Sequence, residues 1–227
     1  MGGKVFVILV SLSCFWQQDY TAFVPRGAAH ATIAGYPIHQ HNQAKAPMAL
    51  KATIYKADLS IADMDRHYYG DHSLTIARHP SETDERVMIR VLAFALHAHP
   101  ALGFTKGLFD TDEPDLWQKD LTGAIDLWVE VGQPDEKRIL KASARAEKVV
   151  VYSYSATSHI WFKGIANKIE RTRNVSVVNI PADTSAQLEK LAQRSMQLQC
   201  TIQDGQVWLT NGVDTVLVER EMFRDKA

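Results

Sequence analysis

The chain has 227 residues, 46% of them hydrophobic and 22% charged, which excludes the disordered, collagen-like and coiled-coil classes and leaves one or two packed domains. Lysine and arginine total 25 against 26 aspartates and glutamates, a formal net charge of -1, so any grip on nucleic acid or an anionic surface must come from a local patch. The two cysteines, Cys14 and Cys200, are too few for a disulfide framework or a thiolate zinc site and fit a reducing cytoplasm.

Val5 to Phe15 is an apolar run behind Lys4, followed by Ala29-His30-Ala31 as a small-residue cleavage candidate, a signal-peptide pattern with its cleavage candidate unusually far downstream. The 11 residues of that run fall short of the about 20 needed to span a membrane, so no membrane association is expected. No sustained period follows, and Met48 offers a second start. Residues 1–47 are therefore expected to be an extension, disordered or a start-site artefact, ahead of a single domain at 48–227. Removing Lys4, Arg26, Lys45 and Asp19 with it leaves 22 basic and 25 acidic groups, net -3.

Within the body, Leu50 to Met64 alternates Tyr55, Ala57, Leu59 and Ile61 with polar neighbours, and Asp71 to Arg78 places Leu74 and Ile76 two apart, so both are expected strands. His79-Pro80-Ser81 announces a helix capped by Ser81 and running to about Leu96. Leu102 to Leu108, Pro114 to Gln118 and Ala124 to Gly132 have strand character and suggest a meander. Pro134-Asp135-Glu136 opens a helix to about Ala146, with its acids at the positive end of the dipole. Val149 to Tyr154 is continuously apolar, the mark of a strand covered on both faces. A helix at about Thr157 to Ile169, a strand at Val175 to Ile180 and a helix at about Thr184 to Arg194 follow. Met196, Leu198, Cys200 and Ile202 then alternate with polar residues, and Asp204-Gly205 and Asn211-Gly212 turn the chain through Val207 to Thr210 into Thr215 to Glu219. The fold class is α/β, with antiparallel strands flanking a centre of helix, three strands, helix, strand.

That central order resembles the PD-(D/E)XK nuclease core. The segments MALKATIYKADLSIADMDR, LTIARHPSETDERVMIRVLAFAL, IDLWVEVGQPDEKRILKA and QLQCTIQDGQVWL extend the resemblance to the YaeQ family, over essentially all of residues 48–227. The resemblance implies a variant of the nuclease core, in which carboxylates hold Mg²⁺ and a lysine positions the attacking water.

By motif matching, the helix acid is Glu85 or Glu82, and Glu85 is preferred because it shares a helix face with Met88 and Leu92. Asp126 and Glu130 lie on one face of their strand, yet four residues span about 13 Å, so both reach one ion only if the strand is bulged. If Glu130 stands at the acid-x-Lys motif, its partner is Asp115 in a literal Pro114-Asp115; if Asp126 is the first metal acid, Asp115 is a turn residue. Gly132 occupies the lysine position. Lys137, Lys141 and Arg145 form a ridge on the following helix, and Lys141 is nominated as the migrated lysine. The metal set is thus Glu85, Asp115, Asp126 and Glu130, with Lys141 beside the water.

His97 and His99 point to different sides of a helix end, and Trp117, Trp128, Trp161 and Trp208 are more suited to core packing than to base stacking. There is no Walker loop, no GxGxxG and no Gly-x-Ser-x-Gly. Two functional classes remain: a weak or vestigial Mg²⁺-dependent nuclease or phosphodiesterase, or a non-catalytic factor binding nucleic acid or a protein partner, with the link to transcription elongation that the resemblance implies.

Overall fold

The computed structural model describes residues 52–226, so the reading of residues 1–47 lies outside the described residues. Two long alternating segments open the described chain, β1 (Thr53–Asp63) and β2 (Tyr68–Arg78), paired antiparallel along their whole length. The centre follows the expected order. After α1 (Asp84–Leu96) come β3 (Leu102–Phe104), β4 (Leu116–Lys119) and β5 (Ile125–Val131), a meander, then α2 (Glu136–Ser143) and β6 (Ala146–Tyr154). Next are α3 (Ser158–Ile169), β7 (Val175–Ile180), α4 (Ala182–Glu189), β8 (Ser195–Gln203), β9 (Gln206–Thr210), β10 (Thr215–Leu217) and β11 (Glu221–Arg224). The chain is α/β.

Several boundaries depart from the sequence reading. The cap of α1 is Thr83, whose Oγ1 accepts from the Arg86 amide at 3.2 Å, because Ser81 is already engaged with the His79 ring. The segment read as a strand to Leu108 leaves extended structure after Phe104 and closes in a 3₁₀ turn at Gly107–Phe109, allowed by Gly107 at φ +52. Asp135 caps α2 by accepting from the Arg138 amide at 2.8 Å, and the helix stops at Ser143 because Ala146 already belongs to β6. α4 starts and ends earlier than read, and β11 was not read at all.

The strands form two sheets, β10-β9-β8-β1-β2 and β11-β7-β6-β5-β4-β3. The terminal meander does not stand apart: β8 runs parallel beside β1, Leu59 opposite Leu198, so both ends of the body build one sheet. Nine consecutive residues of α1, Val87 to Ala95, are buried, the signature of a helix enclosed on all sides. It contributes, with Leu188 of α4, to the larger core shared by both sheets. A second core forms from Trp128, Val149, Val151, Val175 and Val177 with Ile139 of α2 and Ile165 and Ile169 of α3. β5, β6 and β7 are parallel and covered on both faces, so the apolar run Val149 to Tyr152 of β6 needs no alternation. Among the described residues, no helix is long and apolar enough to cross a membrane.

A candidate carboxylate–arginine cleft

At the carboxyl end of β5 the chain breaks into Gly132, Gln133 and Pro134 before α2 begins. This is where parallel strands of α/β sheets commonly present ligand sites. A cleft of about 370 Å³ opens there, lined by Arg86, Asp115, Glu130, Gly132, Leu108 and Arg138 among others. Antiparallel pairing of β4 with β5 sets Leu116 opposite Val129, which carries Asp115 to the end of β5, beside Glu130. Both acids are buried, Asp115 1% exposed and Glu130 3%.

Asp115 is fully engaged. Its Oδ1 and Oδ2 accept from Arg86 Nη2 at 2.7 and 2.8 Å, and Oδ2 also accepts the Val131 amide at 2.8 Å. Glu130 Oε1 accepts from Trp128 Nε1 at 2.7 Å and pairs with Arg138 Nε at 2.9 Å. Burial nevertheless raises its proton affinity above the ordinary carboxylate range, against the opposing pull of Arg138 and the Trp128 hydrogen bond; Asp115 adds to the rise.

Glu82 joins the network from the start of α1. Its Oε1 accepts from Arg86 Nη1 at 2.8 Å and from Arg90 Nη1 at 3.3 Å. Arg90, 1% exposed, lies with its Nε 3.6 Å from Asp115 Oδ1, too far for a hydrogen bond, and that buried nitrogen makes none. Three acids thus face three guanidinium groups across the ends of α1, β4, β5 and α2. Such balance is what makes buried charge tolerable.

The sequence-derived site is divided by this geometry. Asp115 and Glu130 meet at one cleft, in the alternative where Glu130 stands at the acid-x-Lys position. Glu85 does not join them: its carboxylate accepts from Ser185 Oγ of α4 at 2.5 Å. Glu85, in the half-buried first turn of α1, thus faces α4, and Glu82, the other acid the motif offered, is the one in the network. Asp126 accepts from Gln118 on β4 at 3.3 Å, four positions away along β5 from Glu130. Lys141 is half exposed and pairs with Asp112 at the rim, while Arg145 lies over the Trp128 ring at 5.1 Å. The cation beside Glu130 is Arg138.

Arg86, Arg90 and Arg138 were missed by sequence reasoning. Arg90 carried a signal, since an arginine amid Val87-Met88-Ile89 and Val91-Leu92 requires a buried acid. Arg138 sits four residues before Ala142, the inward side of α2.

These residues do not fit a resident Mg²⁺. A hard divalent cation needs several oxygen ligands, whereas both cleft carboxylates are already bound by arginines. Among the described residues, no group of three or more His, Cys, Asp or Glu side chains is placed to hold a metal ion. Gly132 has φ +113, a conformation glycine alone adopts without strain. Open space surrounds the position where its Cβ would stand, so backbone conformation, and not crowding, opposes a lysine there.

Comparison with known proteins agrees with this architecture. Residues 48–220 match the family model described as YaeQ protein. The chain is 45% identical over 173 residues to the "Uncharacterized protein YaeQ" of Salmonella typhi, covering 76% of this chain and 96% of that one. It is 47% identical over 165 residues to its counterpart from Escherichia coli (strain K12), covering 72% and 91%. Among solved structures, the YaeQ protein from Xanthomonas axonopodis pv. citri superposes with a TM-score of 0.74 at 45% identity, covering 77% of this chain and 99% of that one. The YaeQ protein from Pseudomonas syringae gives 0.74 at 35% identity, covering 77% and 97%. With most of the chain matched in sequence and in fold, the protein belongs to the YaeQ family.

Proposed function

We propose that the protein is a non-catalytic member of a nuclease-like fold, a variant of the PD-(D/E)XK core, that binds nucleic acid without cutting it. The observation that carries this reading is the pairing of both cleft carboxylates with arginines, Asp115 with Arg86 at 2.7 Å and Glu130 with Arg138 at 2.9 Å. A metal-dependent phosphodiesterase holds its ion on such carboxylates; fixed guanidinium groups take the ion's place here. The lysine that would position the water is replaced by Gly132. Nucleic acid is the ligand class because Lys137, Lys141 and Arg145 are exposed on α2, which also supplies Arg138 to the cleft, and on the loop after it. A body of net charge -3 requires contact through such a local patch.

The experiment is incubation of the protein with labelled single-stranded and duplex DNA and RNA, with Mg²⁺ or Mn²⁺ present, reading both binding and cleavage. The expected result is binding that weakens with salt and no cleavage in the parent or in Glu130→Gln. Cleavage by the parent that Glu130→Gln abolishes would establish a phosphodiesterase. A second reading, a protein partner, is favoured by Leu108 and Phe109, 46% and 40% exposed beside the cleft; absence of nucleic-acid binding even at low salt would select it.

A further inference from the structure

α1 ends at Leu96, and past its end a groove opens between the two sheets, away from the carboxylate–arginine cleft. Its inner lobe, about 190 Å³, is lined by His97, Lys148, Val150, Tyr152 and Arg220 among others. Its outer lobe, about 470 Å³, adds Leu217 and Val218. Both lobes share Tyr152, Val178, Arg220 and Met222, so they adjoin, and the outer one is of the size that takes small molecules.

The two ends of this groove differ in chemistry. At the inner end His97 Nε2 and Tyr152 Oη are 2.8 Å apart. Burial holds the imidazole down to about 3, and the charged groups that act on it, Lys148, Arg66 and Arg220, are all cations. Arg66 is already neutralised by Asp63 at 2.6 Å. The other two are not. Among the described residues the Lys148 ammonium has no hydrogen bond or ion pair, and the Arg220 guanidinium donates to the Gly205 carbonyl alone, at 2.6 Å. One acid, Asp225, also lines the inner lobe and accepts from Ser176; Glu219 lines the outer one. At the outer end two large apolar side chains stay exposed, Met222 at 56% and Leu217 at 48%.

We propose that this groove binds a small amphipathic carboxylate, its headgroup between Lys148 and Arg220 and its apolar body along Val178, Leu217 and Met222. Two cations against one acid at the inner lobe suit a monoanion better than a phosphate dianion. The neutral His97–Tyr152 pair supplies polarity beside the headgroup without adding charge. An apolar body covers Met222 and Leu217, whose exposure is otherwise a cost in water.

The test is calorimetric titration of the full chain with three probes: decanoate, acetate for the head alone, and decanol for the tail alone. Decanoate should bind at least about tenfold more tightly than either fragment, since head and tail contributions combine in one ligand. Lys148→Gln and Arg220→Gln should each weaken decanoate about tenfold while leaving decanol unchanged, because each removes one charge contact to the carboxylate. Val178→Trp should fill the groove and abolish binding, with circular dichroism reporting whether that variant folds. No binding of decanoate at millimolar concentration would overturn the proposal. So would equal affinity for decanol, or decanoate binding that both charge variants leave intact; these two variants decide the matter if Val178→Trp does not fold.

Discussion

Arg86 contacts both oxygens of Asp115 through a single nitrogen, Nη2, across 29 positions of sequence, and the same nitrogen reaches the Val131 carbonyl at 3.1 Å while the Val131 amide returns to Asp115 at 2.8 Å. The closed ring of α1, β4 and β5 groups locks the cleft. Its members have little freedom to reorganise around a metal ion.

Removing Arg86 should therefore be among the costliest substitutions in the chain. Arg86→Met leaves Glu82 and Asp115, 4% and 1% exposed, with only the longer contacts of Arg90 at 3.3 and 3.6 Å, and breaking a buried pair in this way costs about 3–5 kcal/mol. Urea unfolding of parent and variant gives the number. A loss below about 1 kcal/mol, the range of exposed pairs, would mean that water or Arg90 replaces the contact.

Glu130 sets a pH dependence. Its folded proton affinity lies above the ordinary value of 4.5, chiefly through burial, so the native state holds this proton more tightly than the unfolded chain. Its contribution to stability is fully present below that value and is lost as pH rises through the folded pKa. Glu130→Gln, neutral at every pH, should lack this decline. Unfolding free energies between pH 4 and 7 should thus shift steadily in favour of the variant, and parallel profiles would contradict the assignment.

His97 acts with the opposite sign. Its imidazole drops from 6.5 to about 3 in the fold, so its stabilising contribution is present above 6.5 and is lost as pH falls from there toward 3. His97→Gln should flatten the acid limb of the stability curve over that window. A proton titration of His97 by NMR with a midpoint near 6.5 would contradict the burial argument directly.

Mg²⁺ at roughly 10 mM should leave the melting temperature of the parent unchanged, since ligand stabilisation requires a site that binds the native state. A rise that Glu130→Gln removes would show that Arg138 yields to the ion.

Gly132→Ala should cost about 1–3 kcal/mol, the range for a non-glycine residue held in a sparsely populated backbone conformation. Gly132→Lys should suffer the same loss and gain no cleavage of DNA or RNA. Recovered cleavage would mean that the missing lysine was the sole defect.

What the sequence determined by itself was local. Alternation in Thr53–Asp63 and Ser195–Gln203 marks strands with one buried face, and the apolar run around Val149 to Tyr154 marks a strand buried on two. Asp204-Gly205 adopts φ +51 and +73, the paired positive angles its turn chemistry requires. Pro114-Asp115 and Glu130 stand together in one of the two alternatives that the motif resemblance leaves open. Tertiary structure alone decided which partners they meet. The parallel placement of β8 beside β1 joins segments some 140 residues apart, and no local period encodes that pairing. Which of Glu82 and Glu85 reaches the network depends on what the fold packs beside each, Arg86 and Arg90 for Glu82 and Ser185 of α4 for Glu85, and side-chain spacing does not encode that. Whether a buried carboxylate holds a metal or an arginine depends on which cation the fold brings within about 3 Å, and that distance is fixed by the packing of α1 and α2 against the end of β5.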